Sequence, residues 1–194
     1  QPPRRVAPDA VVPREYIFVI DVSGSMDGFP LDTAKALMKA LIAELTDQDR
    51  FNVILFAGAS KLWSPRSLPA QPHHLASASA FISEQRGGGG TELKRALKKA
   101  LALPGSDGFA RTVVVVTDGY IAAEKNVFAL IADHLDKCNV FTFGIGSSVN
   151  RHLIEGLARI GQGEPFVVTD PAEAPAVAAR FKSYVQSPLL TDIE

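Results

Sequence analysis

The chain has 194 residues, of which 46% are hydrophobic and 21% charged, so it is long enough for one domain with a buried core and is not of disordered composition. Its 20 basic and 21 acidic residues leave a net charge of −1, which argues against nucleic acid and anionic membrane surfaces as partners, because both usually demand a basic excess. No apolar run approaches the roughly 20 residues that span a bilayer, so we expect no membrane insertion, and the single Cys138 excludes an internal disulfide.

The first half of the chain predicts an extended head and then alternating strands and helices. Residues 1–14 contain four prolines and little periodicity, which is typical of a linker or an edge extension. Continuous apolar runs rich in β-branched and aromatic residues indicate buried strands, and apolar residues spaced by three and four indicate amphipathic helices. The predicted elements are, in order, a strand over 15–22, a helix over 31–45, a strand over 51–57, a short edge strand over 61–63 and a helix over 72–86.

The second half continues this alternation after the glycine run 87–90. Its predicted elements are a helix over 91–103, a strand over 112–118, a helix over 124–137, a strand over 139–146, a helix over 150–160, a strand over 164–170 and a helix over 172–186. The alternation predicts an α/β domain over 15–187, with a doubly wound, mainly parallel six-stranded sheet and helices on both faces. Because residue 1 is Gln and residues 188–194 would begin a following segment, we expect a monomeric domain of a larger multidomain protein.

Five oxygen-bearing side chains lie on three predicted loops at one edge of this sheet. Two loops follow strands and the third follows the glycine run; the side chains are Asp21, Ser23, Ser25, Thr91 and Asp118. Ligands of open α/β sheets bind at the carboxyl ends of the strands, where the strand order reverses. Carboxylate and hydroxyl oxygens are hard ligands, so these residues predict a divalent-cation site, with Mg²⁺ favoured and Ca²⁺ or Mn²⁺ as alternatives.

The charge of this predicted site indicates a binding function. Two carboxylates leave a bound dication near neutral, and Mg²⁺ tends to keep coordination positions for water or a ligand. An open position favours an incoming carboxylate, so we expect the partner to be a protein that presents an acidic residue. Asp21→Ala or Thr91→Ala is then expected to abolish partner binding and leave the fold intact, since both positions are predicted on loops outside the core.

Each motif alone also has a purely structural explanation. The Asp-x-Ser-x-Ser segment that starts at Asp21 could be a helix N-cap cluster, and Thr91 could be an N-cap. The Thr-Asp-Gly segment around Asp118 could be a turn. Their coincidence on three loops of one sheet edge favours the metal site.

The three motifs together resemble a known family. DVSGSM, GGGGTEL and VVTDG are similar in order and spacing to the metal-ion-dependent adhesion site of von Willebrand factor type A domains. The resemblance implies that the hydroxyl oxygens of Ser23, Ser25 and Thr91 contact the metal. It also implies that Asp21 and Asp118 act directly or through water, and that a carboxylate of the ligand completes an octahedron.

The resemblance covers about residues 14–186 and implies the sheet order 3-2-1-4-5-6, with a short antiparallel strand 3 at the edge. A narrower similarity, carried by YIFVIDVSGSM, DRFNVILFA and SPLLTDIE, is to inter-alpha-trypsin inhibitor heavy chains and their bacterial relatives. In those proteins a "vault protein inter-alpha-trypsin" domain precedes the type A domain, so residues 1–14 would be the linker from it. Extracellular blood-protein members often carry a flanking cysteine pair, which this chain lacks. We therefore expect a bacterial protein with an extracellular, cell-surface or periplasmic location.

Two alternatives compete with a binding module. Phosphoryl-transfer enzymes of the haloacid dehalogenase type also place Mg²⁺ at a strand-end Asp, but they have Asp-x-Asp where this chain has Ser23. A nucleotide-binding loop needs Gly-Lys-Ser/Thr, whereas Gly90 is followed by Thr91, and no Gly-x-Ser-x-Gly occurs. We therefore expect no enzymatic activity. A structural assembly module with a non-functional metal site is the second alternative, and Mg²⁺ would not stabilise it.

Overall fold

The computed structural model describes residues 13–119 and 124–186 as an α/β domain. Its strands are β1 (Arg14–Asp21), β2 (Arg50–Phe56), β3 (Ser60–Leu62), β4 (Leu68–Pro69), β5 (Ala110–Thr117), β6 (Asn139–Ile145) and β7 (Pro165–Val168). Its helices are α1 (Phe29–Ala43), α2 (Pro72–Ser83), α3 (Leu93–Ala102), α4 (Glu124–Ala132), α5 (Arg151–Ile160) and α6 (Ala174–Gln186). The predicted tail over 188–194 and residues 1–12 of the predicted head lie outside the described residues.

The strands form a mainly parallel sheet with the order β3-β2-β1-β5-β6-β7, and β4 also pairs with β2. β1 lies at the centre, parallel to β2 and β5, while β3 and β4 run antiparallel to β2. The predicted α/β class and strand order are confirmed, since β5, β6 and β7 are the predicted strands 4, 5 and 6. The sheet has one strand more than predicted. β4 was not predicted because it has two residues and ends in Pro69. Proline has no N–H to donate to a neighbouring strand and is tolerated at sheet edges.

Helices cover both faces of the sheet, and β1 shows why. Tyr16, Phe18 and Ile20 pack into a core with side chains of α1, α2 and α6. Ile17 and Val19 pack on the opposite face with side chains of α3, α4 and α5. Successive side chains of a strand point to opposite faces. Because both faces of β1 are covered by helices, its successive side chains over 16–20 are all buried, and this explains the continuous apolar run in the sequence.

Some helices are shorter than their periodicity predicts. α4 ends at Ala132 rather than at residue 137, because the chain then closes turns in which His134 N–H bonds to the carbonyl of Ile131 and Lys137 N–H to that of His134. α6 begins at residue 174 because a 3₁₀ turn over Pro171–Glu173 precedes it. Within the two described ranges, no helix is both long and apolar enough to cross a membrane.

A buried ion pair joins β1 and β5 near their amino ends. Arg111 Nε donates to Glu15 Oε2 at 2.8 Å, and the two side chains are 9% and 1% exposed. The other guanidinium nitrogens donate to the carbonyls of Leu103 at 2.9 Å and Pro104 at 2.7 Å, and Ser106 Oγ donates to Glu15 Oε1 at 3.3 Å. This network fixes the segment before β5. The opposite, carboxyl ends of the same two strands carry the predicted site.

Candidate functional site

Asp21 is the last residue of β1 and is completely buried. Its Oδ1 accepts a hydrogen bond from Ser23 N–H at 2.8 Å, and its Oδ2 accepts one from Thr117 Oγ1 at 2.6 Å. Burial raises the pKa of Asp21 and the Asp118 carboxylate adds to the rise, while the hydrogen bonds from Ser23 and Thr117 oppose it. The expectation that Asp21 lies on a loop outside the core is wrong, because β1 continues through this position.

The hydroxyl groups of Ser23 and Ser25 extend the row of predicted oxygen ligands from the buried Asp21 carboxylate to the protein surface. Their Oγ atoms are 3.2 Å apart, and Ser23 is buried whereas Ser25 is exposed. Ser23 precedes a 3₁₀ turn over Gly24–Met26, but its side chain makes no capping hydrogen bond, and α1 has Gly28 as its N-cap. The helix-cap explanation of this motif is therefore wrong.

The glycine run brings Thr91 to the same edge of the sheet through main-chain contacts. Gly24 N–H donates to the carbonyl of Gly89 at 3.0 Å, and Gly88 N–H donates to that of Val22 at 3.1 Å. Gly89 has φ +83°, a conformation that residues with a side chain rarely adopt. The run is thus fixed against the loop after β1, and Thr91 follows it, partly exposed.

Thr91 is not the cap of the helix that follows it. α3 begins at Leu93, two residues later than predicted, and its N-cap is Glu92. Glu92 N–H donates to the carbonyl of Ala57 at 2.9 Å, which ties this position to the end of β2. The N-cap explanation of Thr91 is wrong, so its hydroxyl is not explained by helix capping.

Asp118 directly follows β5 and is 6% exposed. Asn150 holds this segment: its N–H donates to the Asp118 carbonyl at 3.0 Å and its Nδ2 to the Gly119 carbonyl at 3.0 Å. Its Oδ1 accepts from Leu153 N–H at 3.2 Å and so caps α5. Gly119 has φ +86°, and a Cβ there would lie 2.9 Å from Asn150 Cβ. The segment is also a turn, because Thr117 Oγ1 accepts from Gly119 N–H at 3.0 Å. The Thr-Asp-Gly segment therefore forms a turn, and the same turn places Asp118 at the predicted metal site.

Two residues that position the site, Thr117 and Asn150, were not predicted from the sequence. Thr117 joins the two carboxylate segments, since its hydroxyl donates to Asp21 and accepts from Gly119. Its place directly before Asp118 was visible in the sequence, but the register of β1 against β5 that puts it opposite Asp21 was not. Asn150 lay at a predicted helix start, and its contact with the distant β5 loop left no sequence signal.

Thr117→Val is expected to weaken Mg²⁺ binding about tenfold to a hundredfold, because hydrogen bonds behind a metal ligand orient it. Mg²⁺ titration calorimetry measures the affinity. Thr112→Val on the same strand is the matched control, since Thr112 Oγ1 is buried without a hydrogen-bond partner within the described part of the chain. The control should leave the affinity unchanged. An unchanged affinity in Thr117→Val would contradict its positioning role.

The donor chemistry at this edge fits a hard divalent cation. Asp21, Ser23 and Ser25 are joined by direct hydrogen bonds, Asp118 acts on Asp21 through its charge, and Thr91 arrives through its main-chain neighbours. Across residues 13–119 and 124–186, no group of three or more His, Cys, Asp or Glu side chains is placed to hold a metal. A cation here would rely on hydroxyl oxygens beside two carboxylates, which suits Mg²⁺, Ca²⁺ or Mn²⁺ better than zinc.

Comparisons with known proteins give a consistent result. A family model described as the von Willebrand factor type A domain matches residues 14–165. A von Willebrand factor A domain-containing protein of Dictyostelium discoideum is 28% identical over 181 residues, which are 92% of this chain and 20% of that protein. Inter-alpha-trypsin inhibitor heavy chain H3 of Bos taurus is 26% identical over 197 residues, with 95% of this chain and 22% of that protein covered.

Among solved structures, a von Willebrand factor type A protein from Catenulispora acidiphila superimposes with a TM-score of 0.81. Its sequence identity is 21%, and the match covers 93% of this chain and 44% of that one. The chain spans about a fifth of the length of the two curated relatives. The similarity therefore concerns one domain of longer proteins.

Proposed function

This chain belongs to the von Willebrand factor type A domain family, and we propose that it is a metal-dependent protein-binding module of the adhesion type. The cation, with Mg²⁺ favoured and Ca²⁺ or Mn²⁺ as alternatives, would be held by Asp21, Ser23, Ser25, Thr91 and Asp118. When bound, it supplies a Lewis-acidic centre for the carboxylate of an acidic residue of the partner. The chain's own groups fix the position of that centre and keep its polar ligands oriented.

One observation carries this proposal: a buried carboxylate that the protein surrounds with hydroxyl and N–H donors and with a second carboxylate. Among the described residues, no Lys, Arg or His forms an ion pair with Asp21, whereas Glu15 on the same strand is paired with Arg111. Asp118 adds negative charge beside Asp21. Buried charges are normally paired or coordinate metals, so a cation from solvent would complete this arrangement.

The same geometry argues against acid–base chemistry at this site. Both oxygens of Asp21 already accept hydrogen bonds from Ser23 and Thr117, so this carboxylate is committed to holding the site together. Two relatives that the chain matches are a von Willebrand factor A domain-containing protein and an inter-alpha-trypsin inhibitor heavy chain. We further propose a bacterial source, an extracellular, cell-surface or periplasmic location, and a role as a monomeric domain of a larger protein.

Binding of a blocked Gly-Gly-Asp-Gly-Gly peptide tests the proposal. We expect Mg²⁺-loaded protein to bind it, because the peptide carboxylate can enter an open coordination position, and EDTA to abolish binding. Thr91→Ala should lose at least about tenfold in affinity, since it removes a ligand oxygen. Chemical-shift titration by NMR detects such weak complexes. Binding that persists at saturating EDTA would rule out metal-mediated recognition, and so would equal binding of a control peptide, Gly-Gly-Asn-Gly-Gly, that lacks the carboxylate.

A further inference from the structure

A cleft of about 270 Å³ opens beside the proposed metal site, and two of the proposed ligands, Ser25 and Asp118, belong to its lining. The start of α1 contributes Phe29 and Pro30 to the same lining, and Ile145 comes from the end of β6. A group bound at the metal site would therefore have this partly apolar cleft as its immediate neighbour. The cleft is continuous with the site through the ligands that the two share.

Phe29 is the unusual residue of this cleft. Its side chain is 54% exposed, and the described residues expose just one other large hydrophobic side chain, Tyr184 at 37%. The buried stripe of α1 begins at Leu31, so Phe29 is not part of the core. Aromatic side chains with exposed faces supply much of the contact area in binding sites, because they bury a large apolar surface at a small cost in side-chain freedom.

The charge and size of the cleft define what it can hold. Among the described residues, its remaining polar lining consists of the serine and threonine residues Ser147, Ser148 and Thr169 and includes no Lys or Arg. An acidic side chain would therefore find no cation in this part of the lining apart from the proposed metal. At about 270 Å³ the cleft is smaller than the roughly 300–1,000 Å³ of small-molecule sites. It has room for a single large side chain.

We propose that this cleft binds the side chain next to the metal-coordinating carboxylate of the partner, and that it selects a large apolar residue such as leucine. The preferred partner is thus an acidic polypeptide segment in which an aspartate or glutamate is flanked by an apolar residue. Phe29 determines this specificity by packing against that side chain. The inference rests on the proposed function, because the metal-bound carboxylate sets the position of its neighbour.

Two blocked peptides, Gly-Leu-Asp-Leu-Gly and Gly-Ser-Asp-Ser-Gly, test the inference without assuming a chain direction. In Mg²⁺ the leucine peptide should bind about tenfold more tightly to the native protein, since burying one leucine side chain is worth at least this factor. Phe29→Ala should reduce the preference to about threefold or less and leave the affinity for the serine peptide unchanged. Tyr184→Ala, which removes the other large hydrophobic side chain exposed by the described residues, should keep the full preference.

The outcomes separate this inference from the proposed function. Equal binding of both peptides in Mg²⁺ overturns the inference and leaves metal-dependent binding intact. A leucine preference that survives Phe29→Ala also overturns it. Failure of both peptides to bind in Mg²⁺ contradicts the proposed function and the inference together. If Gly-Leu-Asn-Leu-Gly binds equally well in EDTA, the cleft acts without the metal and the inference is wrong.

Discussion

Excess Mg²⁺ is expected to raise the melting temperature of the metal-free protein by about 5–10 °C. A ligand that binds only the folded state stabilises it by about 2.7 kcal/mol when the free ligand concentration is about a hundred times the Kd. For a domain of this size, each kcal/mol corresponds to about 2–4 °C. Thermal unfolding followed by circular dichroism, in EDTA and then with added Mg²⁺, Ca²⁺ or Mn²⁺, measures the shift and ranks the metals.

The physical source of this stabilisation is the pair of aspartates at the ends of β1 and β5. Asp21 is completely buried and its pKa is raised, mainly by that burial. A carboxyl group whose pKa is higher in the folded than in the unfolded state binds its proton more tightly when folded. Its contribution to stability is therefore full at low pH and is lost as the pH rises through the folded-state pKa. Once ionised, the carboxylate weakens the metal-free fold, and a bound dication would remove this penalty.

Thr91→Ala should remove most of the Mg²⁺-dependent shift while leaving the melting temperature in EDTA nearly unchanged, because Thr91 is partly exposed and lies outside the core. Thr46→Ala is a matched control in an exposed segment after α1, where the threonine bonds to Asp49. It should keep the full shift. If the native protein shows no shift with any of the three metals, the alternative of an assembly module with a non-functional metal site is favoured.

The parts of this structure that the sequence predicted are those that depend on local pattern. Apolar runs identified every strand of four or more residues in the described part of the chain, because strands covered on both faces are apolar at most positions. The alternation of strands and helices then placed the carboxyl ends of β1 and β5 at one edge of the sheet, so the sequence alone grouped Asp21 with Asp118. The two-residue β4 carried too little pattern to be found.

The parts that could not be predicted depend on register and on contacts between distant segments. Opposite Asp21 in the sheet stands Thr117, one residue beyond the pairing of Ile20 with Val116, and that pairing creates the hydrogen bond between them. The predicted strand over 15–22 included Asp21, but apolar periodicity could not show that this carboxylate would be completely buried. Nor could it show that Phe29, two residues before the predicted helix over 31–45, would remain exposed beside the site.

Arg111→Met is expected to destabilise the fold by about 3–5 kcal/mol, the usual cost of removing one partner of a buried ion pair. It leaves the Glu15 carboxylate, 1% exposed, without the guanidinium that contacts it at 2.8 Å. It also removes hydrogen bonds to the carbonyls of Leu103 and Pro104. Chemical denaturation in EDTA measures the free energy of unfolding directly and avoids any contribution from a bound metal.

Arg151→Ala is the matched control, because Arg151 and Glu155 form an ion pair at 3.9 Å with side chains that are 69% and 61% exposed. Exposed pairs contribute little, so this variant should unfold almost as the native protein does. The double variant Glu15→Gln/Arg111→Met should recover much of the loss, since no buried carboxylate is left unpaired. Equal stability of Arg111→Met and Arg151→Ala would show that the pair between β1 and β5 does not hold the sheet.

The Mg²⁺-dependent shift should survive in Arg111→Met, although the variant starts from a lower melting temperature. Glu15 lies near the start of β1 and Asp21 at its end. Arg111 lies near the start of β5, and Asp118 directly follows its end. At one end the protein pairs its buried carboxylate with its own arginine, and at the other the proposed function assigns that role to a cation from solvent. Loss of the shift in this variant would mean that the two ends are coupled through the strands.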